Sequence, residues 1–295
     1  MEKLEFKIIT DLSEAKKIWN ELTPDETIYD NWDFRHCFYK FFNYPLRFYA
    51  GYLNGELIGL LPLQYNSDEK WLEFFAEDFM EDNRVFLKTE FEHYLPSFFE
   101  QIEKRARIFY IRGEDDFTKN LPIEEYKYIL NLDGLKNRND FINRNFQSRA
   151  LKNMKREISV IEKNKIEVIE NSENDLELLF ELNKKIFGEE STFNILYWEE
   201  TFRDIFKNFN AHLLSIAVNG EKLAVSFSIL YKNIYYFYSV ASDNKKIPNL
   251  GKYLVLKNID KAIELGAKII DTGIGDGWKE RWHLDKIPQY KFKRD

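Results

Sequence analysis

The chain has 295 residues, 44% hydrophobic, 17% aromatic and 32% charged, which is apolar sequence for about two domains and too aromatic for intrinsic disorder. With 12 glycines and 7 prolines it is no low-complexity or collagen-like chain. The net charge of −7 argues against a general nucleic-acid binder and leaves room only for a local basic patch.

The opening residues, MEKLEFKIIT, have no apolar signal core, and the strongest apolar run, Leu57–Leu63, is far short of the ~18 residues of a membrane helix. Cys37 is the single cysteine, so neither an intrachain disulfide nor a Cys-based zinc site can form. His36, His93, His212 and His283 show no ligand spacing. These features predict a soluble cytoplasmic protein without a membrane span or a metal.

In chain order, helical periodicity covers Leu12–Leu22 and Trp32–Phe42. Residues 50–63, AGYLNGELIGLLPL, then read as a hairpin about Asn54-Gly55, because Asn-Gly suits the positive φ of a type I′ turn. A polar turn at Asn66–Lys70 leads to a strand, Trp71–Ala76. An acidic loop follows, with Glu77, Asp78, Glu81 and Asp82, then a helix, Phe91–Arg105, and a strand, Arg107–Ile111. A strand at Tyr126–Leu132 closes the first half.

The same order then returns. Helices are predicted over Asp175–Phe187 and Leu196–Asn208, and residues 215–228, SIAVNGEKLAVSFS, repeat the hairpin about Asn219-Gly220. The two Asn-Gly turns lie 165 residues apart. A turn at Lys232-Asn233 and a strand, Ile234–Ala241, complete the second meander. A helix, Gly251–Leu265, and a strand, Lys268–Asp271, follow as in the first half. Strands mixed with crossover helices make this an α/β fold.

Three stretches carry candidate chemistry. Asn143–Lys163 reads as a basic helix, with Arg149, Lys152 and Arg156 on one face, a surface for phosphate or an RNA backbone. Pro248, Asn249 and Gly251 mark a helix start, where unpaired amides and the helix dipole favour an anion beside Lys252. Asp271 ends a strand ahead of Gly273, Gly275, Gly277 and the pair Trp278-Lys279, with Arg281 close behind.

The sequence from SRALKNMKR through YYFYSVA and PNLGKYLV to LGAKIIDTGIGDGWKERW resembles the CelD-like, FemAB-like branch of the GNAT acyltransferase superfamily. The resemblance covers roughly residues 20–290. It implies two tandem GNAT-like domains, each a mixed, largely antiparallel sheet flanked by helices. The first, 1–134, would shape an acceptor groove, and the second, 135–295, preceded by the basic helix 143–163, would hold the cofactor. The implied co-substrate is an acyl-CoA such as acetyl-CoA. Its diphosphate would lie on Asn249, Leu250, Gly251, Lys252 and Tyr253, and its pantetheine arm along Ser239, Val240 and Ala241. The R/Q-x-x-G-x-G/A pattern of that loop is incomplete, with Pro248 in the first position and Tyr253 in the last.

The implied reaction is direct attack of an amine on the acyl carbonyl. Asp271 or Asp243 would be the base, a backbone N–H near Ser239–Ala241 would hold the oxyanion, and Lys279 would place an acceptor carboxylate or phosphate. Arg149, Lys152 and Trp278 would bind substrate. No Tyr lies between Asp271 and Gln289 to serve as general acid, and His283 is the imidazole in that stretch. The acceptor is expected to be a small-molecule amine or sugar amine. Two alternatives are an aminoacyl-tRNA-dependent transferase, with tRNA as partner, and a non-catalytic ligand-binding module.

Overall fold

The computed structural model describes residues 3–76, 80–102, 105–172, 174–195, 197–275 and 277–295. Two compact units emerge, Met1–Lys127 with Ile287–Asp295, and Tyr128–Lys286.

The first unit contains β1 (Leu4–Ile9), α1 (Leu12–Leu22), α2 (Trp32–Phe42), β2 (Leu46–Leu53), β3 (Glu56–Asn66), β4 (Trp71–Phe74), β5 (Phe86–Leu87), α3 (Leu95–Glu100), β6 (Ala106–Arg112) and α4 (Asp116–Lys119). β7 (Ile123–Asn131) carries the chain into the second unit. There follow α5 (Arg138–Asn145), α6 (Ser148–Glu162), β8 (Ile166–Glu170), α7 (Asn174–Phe187), α8 (Trp198–Asn208), β9 (Ala211–Val218), β10 (Glu221–Tyr231), β11 (Ile234–Ser242), α9 (Leu250–Glu264) and β12 (Ile269–Ile274). β13 (Asp285–Arg294) returns the chain to the first unit.

The duplication read from the sequence is present in the strand pairing of both units. In the first unit β1, β2, β3 and β4 are antiparallel neighbours and β6 adds parallel to β4. In the second, β8, β9, β10 and β11 are antiparallel neighbours and β12 adds parallel to β11. Both Asn-Gly turns have positive φ at each central residue, 52° and 88° at Asn54-Gly55 and 53° and 89° at Asn219-Gly220, as a type I′ hairpin demands. The strands of each unit are therefore mixed and mainly antiparallel, with helices packed on them.

The unit boundaries differ from the sequence expectation of 1–134 and 135–295. The division falls before Tyr128, and the last strand leaves the second unit. The cause is apolar burial: Tyr290 and Phe292 of β13 join the first unit's core, formed by residues such as Leu63, Phe98 and Ile108. Other differences have local causes. The expected helix over 91–105 is a 3-10 turn, Thr89–Tyr94, followed by the short α3, with Pro96 in its first turn, and Glu103 and Lys104 lie outside the described residues. The expected helix over 143–163 is broken at Phe146, which is extended and buried against Phe141 and Trp282. The basic helix is thus α6 alone, and Arg144 belongs to α5, where its guanidinium donates to Asn131 O and Asp133 O.

In the acidic loop of the first unit, Asp82 is buried and ion-paired with Lys127 and Arg112, while Glu77 and Asp78 lie outside the described residues. No helix among the described residues is long and apolar enough to cross a membrane.

Candidate active site

The second unit holds a cavity of about 570 Å³. One wall is α6, through Ala150, Asn153, Met154 and Glu157. A second is the end of β11 and the following turn, through Val240, Ser242 and Asn244, continuing into Asn249, Gly251 and Lys252 at the start of α9. The third is aromatic: Trp278 and Trp282, set edge to face at 5.9 Å, with Phe146 and the exposed Arg281. The lining is mostly apolar with a few convergent polar groups, the usual character of a ligand site.

The sheet opens beside this cavity. β11 pairs with β12 from Ile234↔Ile269 to Tyr236↔Asp271, and the ladder stops there. Beyond Tyr236 the edge of β11 facing away from β10 is unclaimed by β12, while Ser239, Val240 and Ala241 remain paired with Phe227, Ser226 and Val225. A register shift at Phe227/Ser228 marks a bulge opposite Tyr238. Strand addition by an extended ligand arm is possible on such an edge.

The start of α9 is also beside the cavity, but its groups are engaged. Gly251 N–H donates to Asn244 Oδ1 at 3.0 Å, and Lys252 Nζ pairs with Glu157 Oε2 at 2.7 Å. The Lys252 amide has no acceptor among the described residues. Leu250 and Tyr253 point into the core, 0% and 3% exposed. Two groups expected to grip a CoA diphosphate are therefore already engaged within the protein: the Gly251 amide holds a side-chain oxygen, and Lys252 is paired with a carboxylate.

The acids expected to act as bases are structural in this arrangement. Asp271 is buried, with Oδ1 accepting from Gly273 N–H at 2.8 Å. Gly273, Gly275 and Gly277 have φ of 75°, 87° and 75°, so this run serves a backbone path that side-chain-bearing residues rarely follow. Asp243 pairs with Lys185 at 2.8 Å and accepts from Lys246 N–H at 3.1 Å, contacts that hold its carboxyl below the ordinary range. Lys279 is buried, donates to Ile274 O and lies over the Tyr128 ring. None of these three lines the cavity, and neither does His283. Among the expected site residues, Val240, Asn249, Gly251, Lys252 and Trp278 are brought together around it.

Arg281, read from the sequence as a nearby cation, also lines it, whereas Phe146, Ala150, Asn153, Met154, Glu157, Ser242, Asn244, Val255 and Trp282 complete the lining and were missed by sequence reasoning. One signal was available. Ala150, Asn153, Met154 and Glu157 follow the i, i+3, i+4, i+7 spacing of a single helix face. Arg149 and Arg156 flank Asn153 at i−4 and i+3, so a cationic stripe borders the cavity wall. Arg149, Lys152, Lys155 and Arg156 are all exposed and have no ion-pair partner among the described residues. Elsewhere in the unit cations such as Lys185, Arg203, Lys222 and Lys261 are paired with carboxylates. Among the described residues no group of three His, Cys, Asp or Glu side chains is placed to hold a metal ion.

Residues 148–291 match the family model described as an acetyltransferase (GNAT) domain. The chain therefore contains a GNAT acyltransferase domain, and it is a transferase. Over nearly its whole length it is similar in fold to L-PGS from Bacillus licheniformis, with a TM-score of 0.60 at 11% identity, covering 97% of this chain and 92% of that one. FemX gives a TM-score of 0.61 at 13% identity, covering 98% and 96%. The C-terminal domain of a protein assigned as a lysylphosphatidylglycerol synthetase from Agrobacterium fabrum gives 0.61 at 8%, covering 96% and 92%. At these identities the likeness concerns the fold alone. No curated protein matches the chain significantly.

Proposed function

We propose that the protein transfers an aminoacyl group from an aminoacyl-tRNA to an amine. The observation that carries this reading is the unpaired cationic stripe of α6, on the helix that also walls the cavity. A row of uncompensated cations beside a small-molecule pocket suits a donor whose reactive end is compact and whose remainder is a polyanion. The whole-length fold likeness to FemX and L-PGS supports the same reading.

In this reading the terminal nucleoside of the donor enters the cavity. Its base stacks on Trp278, the half-buried ring of the aromatic wall, with the buried Trp282 packed edge to face behind it. Arg281 takes the nearest phosphate, while Arg149, Lys152, Lys155 and Arg156 follow the backbone outward. The ester carbonyl lies by the open edge of β11, where main-chain N–H groups stabilise the oxyanion. The amine nitrogen bonds to the carbonyl carbon, the ester C–O bond breaks, and the amine proton passes to the departing ribose oxygen. Glu157, kept beside Lys252, is the carboxylate of the cavity that can relay that proton. Asp271 and Lys279 act as positioning residues that hold the glycine run and deliver Trp278 to the wall. Asp243 anchors the turn after β11 to α7 through Lys185. The site of action is the cytoplasm, where charged tRNA is made.

The test is a transfer assay with radiolabelled aminoacyl-tRNA and labelled acetyl-CoA against a panel of small, sugar and peptide amines. Label is expected to move from the tRNA. Transfer from acetyl-CoA with none from tRNA would replace this reading by acyl-CoA N-acylation, the activity the GNAT domain match favours.

A further inference from the structure

We infer that Asn244 and Glu157 are specificity-determining residues that make the cavity reject donors carrying a diphosphate. This rests on the cavity being the donor site.

The first turn of α9 has the makings of an anion site, since a helix start borders the cavity through Asn249, Gly251 and Lys252. The protein fills that site itself. Asn244 Oδ1 takes the Gly251 amide at 3.0 Å, while Asn244 Nδ2 donates to Ser242 Oγ at 2.9 Å, so the side-chain amide is clamped at both ends. Gly251 leaves room for this internal contact: a Cβ there would lie 2.7 Å from Ser242 Oγ, which would have to move aside. Glu157, from the opposite wall, pairs with Lys252 at 2.7 Å and itself lines the cavity. A diphosphate would have to displace the Asn244 oxygen, break the Lys252 pair and then lie against the Glu157 carboxylate. Like charge at such distances is repulsive and little screened in a partly enclosed site. A nucleoside ester with a single phosphate near Arg281 meets none of these obstacles.

The experiment measures binding of CoA and of pantetheine, which shares its arm but lacks the diphosphate, to wild type, Asn244→Gly, Glu157→Gln and the double variant. Calorimetry supplies the affinities and circular dichroism confirms folding. Each single variant should bind CoA about tenfold more tightly or better, the worth of one charge-assisted hydrogen bond. Pantetheine affinity should stay constant across the four proteins. Equal CoA affinity in all four, or micromolar CoA binding by wild type, overturns the inference. If Asn244→Gly fails to fold, Asn244→Ser and the nearly isosteric Glu157→Gln carry the same comparison. Aminoacyl transfer by wild type is scored separately, so loss of the donor reading and loss of the exclusion are told apart.

Discussion

Replacing Arg149, Lys152, Lys155 and Arg156 together by Gln tests whether α6 tracks a phosphate backbone. All four side chains are exposed and without ion-pair partners, so their loss breaks no contact and the melting temperature should hold. Each cation that meets a phosphate releases about 0.7 to 0.9 of a counterion, so four contribute a slope of about 3 to log affinity against log salt. Between 50 and 200 mM salt the wild type should therefore lose roughly 50- to 150-fold more tRNA affinity than the variant. Fluorescence anisotropy with labelled tRNA across that range reads the difference directly. A variant that binds tRNA as tightly as wild type, with the same salt slope, would show that α6 is merely a solvated basic helix.

Three further outcomes follow from packing and charge. Trp282 is 4% exposed, stacked on Phe141 at 5.7 Å and set edge-on to Phe146 at 6.1 Å, so Trp282→Ala should destabilise the second unit by about 3–5 kcal/mol, read by denaturant unfolding. Asp30 is 2% exposed: burial alone would raise its carboxyl, but the hydrogen bonds and charge of Arg84 hold it below the ordinary range. Arg84→Met should cost about 3 kcal/mol or more near neutral pH, with the deficit narrowing in acid as the orphaned carboxyl takes a proton. Burial first, then the Lys261 charge, hold His212 below the ordinary imidazole range against the opposing pull of Glu170 and Glu264. The unfolded chain protonates this histidine below about pH 6.5 while the folded chain keeps it neutral, so its contribution is full above that pH and is lost as pH falls. Thermal melts from pH 7 to 5 should show a shallower decline for His212→Phe, and an unchanged decline would remove His212 as its source.

The duplicated meander, the two Asn-Gly hairpins and the basic stretch on α6 were all legible without coordinates. Each depends on short-range chemistry, such as alternation of period two, positive φ at a turn, or spacing on one helix face, and neighbouring residues suffice to declare it. The edge strands β1 and β8 were missed because each is short and mostly solvent-facing, so neither forms a long apolar run, and β13 because core partners such as Leu63, Phe98 and Ile108 lie far back in the chain. Pairing decided the rest. Glycines and a lysine at a helix start look alike whether they await a phosphate or are already used. Only folding brings Glu157 to Lys252 across 95 residues and turns Asn244 onto Gly251. It likewise sets Trp282 against Phe146 and turns Asp271 inward onto Gly273. The residue types of the site can be read along the chain, but their partners are set by packing in three dimensions, and the partners determine which charges remain free to meet a ligand.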